Sequence, residues 1–281
     1  MIRYIQKIAL KAGAILKNII NKFHCGNSIE FMSKMPSECV DLILTSPPYD
    51  NLRDYQGYNF DFEKMANEIF RVIKKGGVIV WVVGDKINKG NRSLTSFKQA
   101  LYFQSLGLNA HDIMIYAKKN TPFMRSNAYT NAYEYMFIFS KGSPKTFNPL
   151  KEPTARSGFE MLTTNKKSDG INKKVLGQLN TEKTKTNIWS YAVGLGGSTT
   201  DKIAFKHPAV FPENLAKDHI LSWSNELDLV LDPMCGSGTT CKMAYLLNRN
   251  FIGVDVSKEY IEISKERLSK YTNLFGEVIN A

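Results

Sequence analysis

Apolar runs alternating with amphipathic helical stretches predict an α/β fold: a mostly parallel sheet with helices on both faces. Three observations carry this expectation. Val40–Leu44, Val78–Val83 and Phe251–Val254 are almost wholly apolar, as buried central strands are. Residues 61–75 place Phe62, Met65, Ala66, Ile69, Phe70 and Ile73 on one helical face. Leu227–Leu231 runs into a glycine-bearing turn and a further helix, the strand–turn–helix unit from which such sheets are assembled.

A chain of 281 residues suffices for one large α/β domain or two small ones. Its formal net charge of +11 is more than folding needs and favours a polyanionic partner, most commonly nucleic acid. A charge that only confers solubility is the plainer alternative. The four cysteines, Cys25, Cys39, Cys235 and Cys241, form no C-x-x-C pair and have no histidine at metal-ligand spacing. With no signal peptide and no apolar run of membrane-spanning length, they predict reduced thiols in a cytoplasmic protein without metal or membrane partner.

In chain order, residues 1–20 predict an amphipathic helix. Ile5, Ala9, Ala12, Leu16 and Ile19 recur along one face, and Arg3, Lys7 and Lys11 line another. Packing on the domain or on a second subunit accounts for it better than membrane binding. Phe23–Ser28 leads into a helix from Ser28 to about Met35, and Gly76-Gly77 supplies a left-handed stop for the helix over 61–75. The strand Val78–Val83 ends at Gly84-Asp85 and Ser96–Leu106 is helical. Ile113–Tyr116 and Tyr135–Phe139 are two strands that form an antiparallel edge.

Composition changes after Ser140, and residues 141–200 are rich in Lys, Thr, Asn, Ser and Gly with few periodic apolar positions. A structureless loop of that length implies binding. The basic stretch Asn165–Lys174, together with Phe159, Trp189 and Tyr191, suits a nucleic-acid surface, and a disordered insert is the plainer alternative. Order returns at His207–Pro212. A helix then sets Leu215, Ala216, His219 and Ile220 on one side, another runs from about Thr239 to Leu247, and Ser257 caps a last one. The chain therefore divides at 1–22, 23–140, 141–200 and 201–281.

Two stretches carry chemistry. Thr45-Ser46-Pro47-Pro48-Tyr49 follows the first buried strand, and its prolines fix φ and remove backbone donors. Ser46 and Pro47 thus present a stiff set of acceptors beside the ring of Tyr49, suited to a planar molecule bearing an amino group; a simple Pro-Pro turn is the alternative. The second stretch is Asp232-Pro233-Met234-Cys235-Gly236-Ser237-Gly238-Thr239-Thr240, between strand and helix. Its glycines let the backbone approach a ligand, and Asp255, at the end of the next strand, can accept both hydroxyls of a ribose. Without a third glycine or a Gly-Lys-Ser/Thr, the unit suits a nucleoside cofactor better than a pyrophosphate.

Asp232–Thr240 with Phe251–Asp255 resembles the S-adenosylmethionine-binding segment of the amino-methylating DNA methyltransferases. Thr45–Tyr49 resembles that family's catalytic motif, and His207–Pro212 resembles its further cofactor-binding segment. The catalytic motif precedes the cofactor motif, with the variable region between them, as in the permuted β-group. The resemblance implies a Rossmann-like, circularly permuted fold in which the strand ending at Asp255 lies beside Phe23–Asn27. Residues 23–140 would be the catalytic half, 201–281 the cofactor-binding half and 141–200 the target-recognition region.

By the same resemblance, S-adenosylmethionine would be held by Asn27, Thr45, His207, Pro208, Phe211, Asp232, Pro233, Cys235, Gly236, Ser237, Gly238, Thr239 and Asp255. Asn27, where many relatives carry Asp, would approach the adenine, and Cys235 would be a packing residue rather than a nucleophile. Ser46, Pro47, Pro48 and Tyr49 would receive a base flipped out of double-stranded DNA. A serine at position 46 goes with cytosine N4 in that family. Adenine N6 is the alternative, and an inactive nucleic-acid-binding protein is a more remote one. A companion restriction endonuclease, and pairing of two subunits through the amino-terminal helix, stay open.

Overall fold

An eight-stranded sheet organises the larger of two compact units. The computed structural model describes residues 13–48, 60–121, 126, 128–154, 160–166, 172–178 and 180–272. The larger unit comprises the chain up to Asn148 and from Asn187 onward, and the smaller unit spans Pro149–Thr186. In the larger unit the strands are β1 (Lys22–Cys25), β2 (Val40–Thr45), β3 (Ile73–Val83), a short β4–β5 hairpin (Ile87–Asn88 and Asn91–Arg92), β6 (Asn109–Lys118) and β7 (Tyr133–Ser140). After the smaller unit, with β8 (Lys151–Pro153), β9 (Glu160–Lys166), β10 (Asn172–Gln178) and β11 (Glu182–Thr184), come β12 (Ile188–Tyr191), β13 (Leu229–Asp232) and β14 (Asn250–Asp255). The helices are α1 (residues 13–19), α2 (Ser28–Ser33), α3 (Phe62–Val72), α4 (Thr95–Ser105), α5 (Glu213–Trp223), α6 (Thr239–Leu246) and α7 (Lys258–Ser269).

The large sheet has the order β1-β14-β13-β2-β3-β7-β6-β12. The run β1 to β3 is parallel throughout, whereas β7 is antiparallel to both β3 and β6, the expected antiparallel pair, which is not the edge because β12 lies outside it. Cys25 pairs with Asp255, so the segment starting at Phe23 does lie beside the strand that ends there. Alternation along the strands feeds two layers. Ile43, Ile79, Trp81, Phe137 and Leu231 share a core with Met32 of α2, Met65 and Ile69 of α3, and Phe103 of α4. Leu42, Leu44, Val80, Val82, Met136 and Val230 are equally buried on the other face. There His219 of α5 sets Nε2 3.1 Å from Met136 Sδ. Leu215, Ala216, His219 and Ile220 are all buried, as their spacing predicts.

Gly76-Gly77 does not end the preceding helix. α3 gives way to strand at Ile73, and both glycines lie inside β3, where its pairing with β2 jumps from Val40–Ile73 to Leu42–Val78. Gly76 has φ of +78°, which permits the kink, and its N–H donates to Lys141 O at 2.7 Å. The strand expected from Leu227 starts at Leu229, because Leu227 is in the left-handed region and 77% exposed.

Residues 141–200 are not structureless. β8 pairs with β11 and β9 with β10, both antiparallel, and β12 joins the large sheet beside β6. The second unit is therefore narrower than 141–200. Period-two burial of Trp189 and Tyr191 between exposed neighbours is what assigns Ile188–Tyr191 to the sheet. Residues 1–12, Tyr49, Phe159 and 167–171 lie outside the described residues. Among the described residues no helix is long and apolar enough to cross a membrane.

Candidate active site

Parallel pairing of β2, β13 and β14 brings the two chemistry-bearing turns to one edge of the sheet. Adjacent strands lie about 4.8 Å apart, so the ends of β2 and β13 are immediate neighbours. A side-chain bond joins them: Thr45 Oγ1 donates to Asp232 Oδ1 at 2.7 Å. Met234 N–H donates to the same oxygen at 3.1 Å. Asp232 is 1% exposed, and burial raises its carboxyl to about 6 despite the opposing bonds from Thr45, Thr240 and Met234. Asp232 thus works inside the protein, fastening the turn after β13 to the end of β2. Beyond Thr45 the chain leaves the ladder; Ser46 is half-buried and Pro47 buried.

The turn after β13 is held open by its glycines. Gly236 and Gly238 have φ of +50° and +77°, and a Cβ at Gly236 would lie 2.7 Å from His207 Nε2. The His207 ring is fixed by its Nδ1, 2.8 Å from the Ala209 carbonyl oxygen, and by edge-on packing against Tyr260 at 4.4 Å. His207 therefore packs against the turn at Gly236, while Pro208 is exposed and Phe211 half-buried. Cys235 and Cys241 are buried with their thiols pushed up by desolvation, which suits packing and not nucleophilic attack.

Asp255 closes the turn from the next strand. Its Oδ2 accepts Gly236 N–H and its Oδ1 accepts Ser257 N–H, both at 2.9 Å. Burial raises its carboxyl above the ordinary range, yet the residue stays partly open to solvent. Each oxygen keeps a lone pair for a further donor. A partly open carboxylate beside a helix start fits a ribose-bearing cofactor. Asn27 Oδ1 caps α2, accepting Ile29 N–H at 2.8 Å and Glu30 N–H at 3.3 Å. The next residue, Ser28, donates its hydroxyl to the Pro233 carbonyl, so the β1–α2 connection is tied to the turn.

Two features were not singled out from sequence. Asp85, at the end of β3 beside β2, accepts Ser96 N–H at 2.9 Å through Oδ1, while its buried Oδ2 has no hydrogen-bond partner among the described residues. The Gly84-Asp85 pair after a buried run was its only signal. Arg267 is fully buried in α7 and donates to the Ser237 carbonyl at 2.5 Å. Its place three residues after Ser264, on the stripe facing the sheet, could have marked it.

The DNA methylase family profile matches residues 40–266, from the first residue of β2 into α7. This chain belongs to the N6/N4 DNA methylase family. The methylase is 53% identical over 237 residues to the orphan methyltransferase M.BamHII of Bacillus amyloliquefaciens, covering 83% of this chain and 89% of that protein. Among solved structures, the cytosine-N4-specific PvuII DNA methyltransferase superposes with a TM-score of 0.64 at 20% identity, covering 87% of this chain and 85% of that one. M1.HpyAVI, solved in complex with SAM, gives 0.56 at 24% identity, covering 88% and 99%. The likeness to these two structures is one of fold.

Proposed function

We propose that this DNA methylase transfers a methyl group from S-adenosylmethionine to the exocyclic N4 amine of a cytosine flipped out of duplex DNA. The observation that carries the reading is the Thr45–Asp232 bond, which sets the Ser46-Pro47 acceptors next to the cofactor turn on the adjoining strand. Methyl transfer needs donor and amine in contact, and neighbouring parallel strands about 4.8 Å apart provide that.

Bound at the Asp232–Thr239 turn, S-adenosylmethionine supplies an electrophilic methyl group. The rest is the work of the chain. Asp255 accepts the ribose hydroxyls while its bonds to Gly236 and Ser257 fix its orientation. An exocyclic amine is a poor nucleophile because its lone pair is delocalised into the ring. Ser46 Oγ and the Pro47 carbonyl accept its two N–H bonds, drawing the nitrogen toward tetrahedral geometry and stabilising positive charge as it develops. These acceptors act mainly in the transition state. Asp85, two residues beyond the adjoining strand β3 and with a buried Oδ2 that has no partner among the described residues, is the residue we assign to receive, through solvent, the proton that the amine loses.

By the family resemblance Tyr49 would stack on the base, and Pro48 fixes its own φ. Extrusion of the base costs about a few kcal/mol, which phosphate contacts from the basic chain offset. We assign target reading to the smaller unit, Pro149–Thr186, whose lysine-rich sequence suits phosphate contacts. Ser46 favours cytosine N4 by family association, and the order of the motifs matches the permuted β-group. Adenine N6 is the alternative, since the same two acceptors serve either amine. Incubation with duplex DNA and S-adenosylmethionine, followed by nucleoside mass spectrometry, tests the reading. N4-methylcytosine supports it, N6-methyladenine transfers the same chemistry to the other base, and unmodified DNA rejects it.

A further inference from the structure

Behind the cofactor turn lies a buried ionic cluster that holds the turn's Ser237 and Thr239 from inside the protein. Arg267 Nη1 donates to Ser237 O at 2.5 Å, Thr239 Oγ1 at 3.1 Å and Ser237 Oγ at 3.2 Å. Its Nη2 donates to Glu213 Oε1 at 2.6 Å and its Nε to Asp201 Oδ2 at 3.2 Å. Lys242 Nζ bridges the same two carboxylates at 2.8 Å each, and Thr199 Oγ1 donates to Glu213 Oε1 at 2.7 Å. Burial would raise Asp201, yet the bonds from Lys242 and Arg267 hold its carboxyl below the ordinary range.

One guanidinium therefore reaches three acceptors on the cofactor turn and two carboxylates from the segment after β12. We propose that Arg267 is a positioning residue for S-adenosylmethionine: it sets Ser237-Gly238-Thr239 from inside the protein and makes the turn's shape depend on Asp201 and Glu213. This rests on the reading that the turn holds the cofactor. The guanidinium fork is needed because a lysine ammonium is a point donor and cannot span both groups. Lys242 still bridges Asp201 and Glu213, and Arg267→Lys keeps the second positive charge of the cluster while losing the reach.

The test is the affinity of full-length wild type, Arg267→Lys and Arg267→Met for S-adenosylmethionine, measured by calorimetry well below each melting temperature, with steady-state kinetics on duplex DNA. Arg267→Lys is expected to bind the cofactor at least tenfold more weakly, with kcat at saturating cofactor within threefold of wild type and KM for DNA unchanged. Arg267→Met weakens binding further if it folds, and Arg267→Lys carries the test if it does not. A folded Arg267→Lys with wild-type cofactor affinity and only a lower melting temperature would overturn the proposal and leave the cofactor reading intact. Failure of the wild type itself to bind S-adenosylmethionine would overturn both.

Discussion

Thr45 Oγ1 and Asp232 Oδ1 lie 2.7 Å apart, joining the residue before Ser46 to the residue that opens the cofactor turn. The bond ties the ends of neighbouring strands β2 and β13, alongside their backbone pairing and the bond from Thr240 Oγ1 to the Leu44 carbonyl. Thr45→Val keeps the shape and removes the donor, leaving a buried carboxylate oxygen short of a partner. The expected loss is about 1–3 kcal/mol in urea unfolding, together with weaker cofactor binding. A change within about 0.5 kcal/mol, the range of ordinary surface substitutions, would remove the bond from the account.

The same carboxylate makes stability depend on pH. Burial raises Asp232 from 3.8 to about 6 in the folded protein. Between those values the native state holds a proton that the unfolded chain has released, so this group's contribution to stability falls as pH rises. The fall is on the order of 3 kcal/mol between about pH 4 and pH 6. Asp232→Asn cannot ionise and escapes that loss. Its unfolding free energy should therefore improve relative to wild type over that window, read from denaturation curves at several pH values. A difference that does not vary with pH contradicts the assignment.

Gly236 is required both by its backbone and by its neighbour. At φ of +50° a Cβ is strained, and it would lie 2.7 Å from His207 Nε2. Gly236→Ala should cost about 1–3 kcal/mol and displace the His207 ring. Cofactor affinity should fall at least tenfold by calorimetry, and unchanged affinity would show that the turn is not shaped in this way.

Asp85, two residues beyond β3, has a buried Oδ2 without a hydrogen-bond partner among the described residues. Asp85→Asn preserves an acceptor for Ser96 N–H and replaces the free acceptor by a donor. The expected result is a fall in kcat of at least tenfold with cofactor affinity unchanged. A kcat equal to wild type would exclude Asp85 from the proton's path.

Much of this arrangement is legible in sequence, because buried parallel strands and glycine turns leave local signatures. The runs at Val40, Val78 and Phe251 and the turn at Asp232 all identify themselves by residue type alone. What escapes is long-range or context-dependent. Gly76-Gly77 looks like a helix stop, yet the pair serves a kink set by pairing with β2. That Asn27 also caps α2 through Oδ1 depends on where the helix starts, which the sequence does not mark sharply. Ile188–Tyr191 is too short for periodicity to mark within a polar stretch, and its partner β6 lies some seventy residues earlier. Arg267 and Asp201 are ordinary charged residues in sequence, and only the fold buries them together.

The most direct test of the account is a single-turnover comparison of wild type and Ser46→Ala with labelled S-adenosylmethionine and duplex DNA. The loss of one preset acceptor predicts a methyl-transfer rate lower by on the order of a hundredfold, with cofactor affinity unchanged. A Ser46→Ala enzyme that methylates DNA as fast as wild type would contradict the assignment of Ser46 and Pro47 as the site of transfer.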